Sequence, residues 1–127
     1  WKGGKFGDVL MDRTTYEAAA HAVLVLTNGA KSGEAFLLEA NGINRNVEVE
    51  SFSFSTLPHL ITRTDRLATI HGRLAKLVAP QAELVTYPVP TDLPPVRQMV
   101  QWHEYRANDP GILWLRGLMQ QAATELP

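Results

Sequence analysis

Apolar and polar positions follow two periods along this chain, and the period switches several times. Ala22-Val-Leu-Val-Leu-Thr27 is a continuous apolar run between His21 and Asn28-Gly29. Its length and β-branched content predict a buried strand. Asn46 to Ser51 alternates Val with Glu, which predicts a second strand. Between them, Lys31 to Ala40 carries Ala35, Phe36, Leu37 and Leu38 and stops at Asn41-Gly42, a helix with its C-cap. Ahead of them, Thr14-x-x-Glu17 is a capping-box pattern, and Tyr16 to Ala20 predicts a short helix. The opening residues to Val9 hold Gly3, Gly4 and Gly7 among charges and predict a loop.

The central stretch from Glu50 to His71 sets the organisation. Ser51 to Phe54 continues the extended period, and Ser55 or Thr56 can cap a helix that tolerates Pro58 in its first turn. Leu57, Leu60 and Ile61 share one helical face, and Leu67 to Ile70 returns to a strand. A helix follows from Gly72 to Val78, then a strand over Ala82 to Tyr87. Pro88, Pro90, Pro94 and Pro95 break regular structure. Beyond them Val96 to Tyr105 predicts another strand, and Asp109-Pro110 opens the last helix, Asp as N-cap and Pro in the first turn. This alternation predicts an α/β fold with a largely parallel sheet and helices on both faces.

Composition narrows the chemistry. In 127 residues, 45% hydrophobic, there is material for one compact core. A net charge of -1 gives no basic field for nucleic acid. The absence of cysteine removes disulfides, thiolate nucleophiles and cysteine zinc sites, and fits a cytoplasmic location. No apolar run reaches membrane-spanning length, so no membrane partner is expected. The chain opens at Trp1 without Met, as expected of a piece of a longer protein. There is no Gly-x-Ser-x-Gly, P-loop or Gly-x-Gly-x-x-Gly motif, and Glu48 and Glu50 have no nucleophile to serve. His59, His71 and His103 lack ligand spacing with carboxylates. Neither an enzyme nor a bound cofactor or metal is expected.

In α/β units, ligands sit where strands end and helix N-termini present free N–H groups. Ser53, Phe54, Ser55 and Thr56 are therefore the first candidates for a binding surface: a phenyl face stacks an aromatic ligand and hydroxyls fix its polar group. Core packing for Phe54, the favoured reading there, and helix capping for the serines are the plainer alternatives, and both roles can hold together. Thr27 and Asn28, at the end of the Ala22 run, are weaker candidates that turn chemistry also explains.

A strand ending in Phe-x-x-Leu (Phe54 to Leu57), a short helix, then Thr64-Asp65-x-x-Ala68-Thr69 resembles the effector-binding domain of LysR-type transcriptional regulators. The run Trp102-His103-x-Tyr105-x-x-x-Asp109-Pro110-x-x-x-Trp114-Leu115-Arg116 resembles the subgroup that senses nodulation flavonoids, salicylate-like acids and related aromatic compounds. The likeness runs from roughly Thr14 to Leu126. It implies a fold like the type II periplasmic binding proteins, in which two α/β subdomains enclose a ligand cleft, with this chain holding mainly one Rossmann-like subdomain with a mixed, largely parallel sheet and helices on both faces. On that pattern, residues 1–20 are an N-terminal loop and short helix, and residues 21–93 the second subdomain. Residues 94–127 are the crossing strand and C-terminal helix of the first subdomain, whose body is absent. The winged helix-turn-helix that would contact DNA is absent too, which departs from the family pattern.

The resemblance implies a small, aromatic or anionic effector, self-association as a homodimer or tetramer, and DNA contact only through the absent N-terminal domain. By position His21 matches a residue that reaches the inducer in aromatic-acid sensors, while a backbone-satisfied histidine at a strand start is the plainer alternative. Trp102 would lie on the crossing strand that borders the cleft, with hinge packing as its alternative role. A fragment of a solute-binding protein of the same fold, or a small α/β enzyme, are the competing readings. An upstream helix-turn-helix excludes the first, and the second needs an acid or base beside a nucleophile.

Overall fold

A computed structural model describes residues 1–125. Helix α1 (Arg13–Ala18) leads into β1 (Ala20–Leu24), α2 (Gly33–Ala40), β2 (Asn46–Ser51), α3 (Leu57–Ile61), β3 (Arg66–Ala68) and α4 (Gly72–Val78). A 3-10 turn at Glu104–Arg106 precedes α5 (Pro110–Glu125). The chain divides into two compact units, Trp1–Leu93 and a second from Pro94 onward.

In the first unit β1 is the central strand of a parallel sheet ordered β2-β1-β3. Its register pairs His21 with Val47 and Leu67, and Ala22 with Val49 and Ala68. The step from Val47 to Val49 leaves Glu48 as an extra residue, a bulge at the sheet edge. Glu48 reaches across to Arg66 at 2.7 Å.

Alternation along β1 separates two cores. One face carries His21, and there Tyr16, Leu38 and Ile43 close together with Leu67 packed against them. On the other, Ala22, Leu24 and Leu57 form the centre, with Val49, Phe54, Leu60 and Ile61 around them. Helices α1 and α2 thus cover one face and α3 the other, the layered arrangement of an α/β fold.

The caps explain the helix bounds. Asp12 accepts from the Thr15 amide at 2.7 Å and starts α1, so the expected Thr14–Glu17 capping box does not form and Thr14 lies inside the helix. Glu17 instead bonds Arg13 at 3.1 Å and the Asn44 amide at 3.3 Å. Ser32 caps α2, and Gly42 at φ +72° ends it while Ile43 N–H donates back to the Leu38 carbonyl.

Two expected strands are absent. Ala82 to Tyr87 makes no ladder: Glu83 takes a positive φ of 52°, which breaks the extended run, and Leu84 N–H turns back to the Ala79 carbonyl. Val96 to Tyr105 is likewise no strand, since no backbone partner lies beside it among the described residues and its end tightens into the 3-10 turn. The sheet is consequently wholly parallel with three strands, not mixed. The first strand begins at Ala20, two residues earlier than its apolar run, because His21 is accommodated in the interior; Val25 joins an antiparallel bridge to Lys31.

In the second unit, Asp109 opens α5 by accepting from the Gly111 and Ile112 amides at 2.9 and 3.1 Å. Pro110 stands at its first position, as the sequence predicts.

Candidate functional site

Three parallel strands send their carboxyl ends to one edge of the sheet. The chain leaves β1 to one side for β2, then crosses to the other side for β3, so the connection reverses direction between β1 and β3. Crevices for ligands form at the carboxyl ends of strands beside such a reversal.

The loop after β1 carries Thr27 and Asn28, both exposed. Asn28 Oδ1 accepts from the Ala30 amide at 3.0 Å and Gly29 stands at φ +74°, so the local chemistry is that of a tight turn. The loop after β2 carries Ser53 to Thr56. Ser51 Oγ accepts from the Ser53 amide at 3.2 Å, and the Ser53 and Ser55 hydroxyls meet at 2.8 Å. Thr56 caps α3 with its backbone only: its carbonyl accepts from His59 and Leu60, and its side chain makes no cap bond. The Thr56 hydroxyl makes no cap bond, and the Ser53–Ser55 pair keeps one hydrogen and spare lone pairs at the rim.

Phe54 is half-buried. It packs on the Ala22, Leu24 and Leu57 core and holds its ring 4.9 Å from the His71 imidazole, tilted by 60°. His71 begins α4 at the end of β3, so this ring pair bridges the loops that follow β2 and β3. Nothing local in the chain singles out His71, because the contact joins residues 17 positions apart through the sheet order.

His21 is placed away from this rim, with no exposed surface. Its ring lies 4.6 Å from that of Tyr16, and its Nε2 is 2.7 Å from the Tyr16 carbonyl oxygen. A carbonyl only accepts, so Nε2 carries the proton and Nδ1 is a buried acceptor with no partner among the described residues. Burial holds the imidazole below its usual pKa, offset in part by the Tyr16 carbonyl and reinforced by the Arg45 charge. Around it lie Tyr16, whose hydroxyl bonds Thr69, and the buried pair Glu34–Arg45 at 3.1 Å. Burial first, with smaller opposing contributions from Thr69 and Arg45, raises the Tyr16 phenol above its ordinary pKa.

Trp102 belongs to the second unit. There the Arg116 guanidinium lies 4.0 Å from its ring centre, and His103 stacks on Tyr105 at 3.9 Å.

The structure thus gathers Thr27, Asn28, Ser53, Phe54, Ser55 and Thr56 at one edge, adds His71, and sets His21 in the interior. The rim offers hydroxyls that can hydrogen-bond and a phenyl face that can stack. Among the described residues no cluster of three metal-ligating side chains forms.

No family model matches the chain. Curated relatives do. Nodulation protein D 1 of Rhizobium tropici is 34% identical over 113 residues, covering 87% of this chain and 36% of that protein. Nodulation protein D 3 of Rhizobium leguminosarum bv. phaseoli is 36% identical over 114 residues, covering 88% of this chain and 37% of its own length. The chain therefore spans little more than a third of these relatives. Among solved structures, a protein assigned as a transcriptional regulator in Pseudomonas aeruginosa matches with a TM-score of 0.59 and 31% identity, over 65% of this chain and 28% of that one. Another, from Vibrio parahaemolyticus, matches 98% of this chain and 58% of its own with a TM-score of 0.78 and 21% identity, a likeness of fold. These relatives are regulators and not enzymes. This chain belongs to the LysR-type transcriptional regulators and is a part of their effector-binding domain.

Proposed function

We propose that the chain is the inducer-sensing part of a cytoplasmic LysR-type regulator, and that a small aromatic or anionic effector binds against the carboxyl edge of its sheet. The fold would be that of the type II periplasmic binding proteins, with residues 21–93 forming the second subdomain. Residues 94–127 would belong with the first subdomain, whose body lies outside this chain. The observation that carries the reading is the rim itself: Ser53, Ser55 and Thr56 offer hydroxyls beside the half-buried Phe54 ring, with Thr27 and Asn28 on the neighbouring loop. A ring stacked on Phe54 with its polar group on the serine hydroxyls uses both features.

Effector binding would bias the arrangement of a homodimer or tetramer and so modulate DNA binding by a winged helix-turn-helix elsewhere in the full-length protein. His21 would act behind the rim, and Trp102 would border the cleft.

The test is calorimetry and thermal denaturation of the full-length regulator with benzoate, salicylate and flavonoid-like compounds, with Ser53→Ala and His21→Ala alongside. Saturable stabilisation that weakens in Ser53→Ala supports the site. An unchanged melting temperature with every compound removes the ligand class, and undiminished binding in Ser53→Ala removes the site.

A further inference from the structure

The first unit contains a cavity of about 120 Å³ that does not belong to the rim. It lies along β3, an edge strand whose outer side pairs with no other strand among the described residues. Phe6, Met11, Leu67, Ile70 and Leu84 supply apolar walls, and Tyr16 reaches it with Thr69. The hydroxyls of these last two are bonded to each other, and both residues are buried. Two hydroxyls joined by one hydrogen bond keep one hydrogen and spare lone pairs.

Size and lining restrict the occupant. Cavities of about 150 Å³ with aliphatic and aromatic walls stay dry and take up benzene. The space beside β3 is of that order and its walls are mainly of that kind, although it opens to solvent on one side and Arg66, Thr86 and Tyr87 line it together with the Tyr16–Thr69 hydroxyl pair. We propose that this cavity is a second binding site, separate from the rim, for a single-ring aromatic molecule, with a phenolic hydroxyl preferred over an unsubstituted ring. The Tyr16–Thr69 pair anchors that hydroxyl, and the ring fills the space between Leu67, Met11 and Leu84. This inference does not depend on the rim reading, because the two sites share none of the rim residues.

Benzene and phenol are the probes, added to this chain and followed by thermal denaturation and by the methyl NMR signal of Met11. Both are expected to raise the melting temperature saturably and to shift that signal by ring current. Ala79→Leu, which fills the cavity from a buried lining position, is expected to abolish both effects. Tyr16→Phe is expected to weaken phenol about tenfold while leaving benzene unchanged, the value of one neutral hydrogen bond. A Met11 signal and melting temperature indifferent to both probes would overturn the proposal, as would effects that persist in Ala79→Leu. Should Ala79→Leu fail to fold, the phenol-to-benzene comparison in Tyr16→Phe decides: an unchanged ratio rejects the anchored site.

Discussion

His21 donates from Nε2 to the carbonyl oxygen of Tyr16, five residues earlier, at 2.7 Å. That bond ties the end of α1 to β1 and explains how a polar side chain occupies a position with no solvent exposure. It also makes stability depend on pH. Burial disfavours the charged imidazole, so the folded chain binds this proton less readily than the unfolded chain. The unfolded state then holds more protons below about pH 6.5, and stability rises with pH there. Stability contributed by His21 is complete above that value and declines as pH falls from it toward the lower folded pKa. Urea denaturation between pH 5 and 7.5 should show a slope of up to about 1.4 kcal/mol per pH unit at its acid end. His21→Leu should flatten that slope, and an equal slope in the variant would assign the titration elsewhere.

Glu34 and Arg45 form an ion pair at 3.1 Å with both side chains only 9% exposed, and Ser32 donates to the same carboxylate. Removing one partner leaves the other charge buried, which costs more than the pair itself contributes. Glu34→Ala should lower stability by about 3 kcal/mol, while Glu34→Leu combined with Arg45→Met should recover most of that loss. Equal effects of the single and double substitutions in chemical denaturation would show that the pair is not coupled.

The legible part of this fold is the part in which local chemistry decides. Helix α4 falls over Gly72–Val78 as its apolar spacing predicts, and Asn41-Gly42 ends α2 because Gly42 adopts positive φ without cost. The strand at Asn46 to Ser51 appears where the Val–Glu alternation places it. The alternation of Ala82 to Tyr87 and of Val96 to Tyr105 was equally visible, but a period of two reports side-chain faces and not the presence of a backbone partner. Asp12 and Thr14 are both competent caps, and only the geometry around Thr15 decides between them. In the candidate site, Ser53 to Thr56 were readable from their place between a strand and a helix. The Phe54–His71 contact was not, because it depends on β3 lying on the far side of β1 from β2.

Asp109 fixes the start of α5 through the amides of Ile112 and Gly111, and the Ile112 bond first, then the Arg106 guanidinium, with a smaller part from Gly111, hold its carboxyl below the usual range. Asp109→Ala should leave these amides without a side-chain acceptor, and hydrogen exchange should quicken over Gly111 to Leu113 with little change in the first unit. Because the folded pKa is lowered, the cap is complete above the ordinary carboxylate range and is lost as pH falls below it. Exchange in this turn should therefore accelerate, beyond the intrinsic pH effect, only in strongly acidic solution. Unchanged protection in Asp109→Ala would mean that Pro110 alone sets the helix start.

Helix α5 presents Leu115, Leu118 and Met119 at helical spacing, all exposed, with Trp114 69% exposed beside them. A contiguous apolar surface of this kind marks a surface that another chain or domain covers. If residues 94–127 complete a subdomain whose body lies elsewhere, this chain alone should self-associate through α5 in sedimentation and bind an apolar dye. Burying a side chain of Trp or Leu size contributes about 1.5–3 kcal/mol, so Trp114→Ser with Leu118→Ser should weaken association by at least about tenfold. Both substitutions lie in the second unit, so the urea transition that reports on Leu38 and Ile43 should not move. Association that survives both substitutions would locate the contact elsewhere. In that case the edge of β2, with Val47 exposed on a strand lacking an outer neighbour among the described residues, is the next surface to alter.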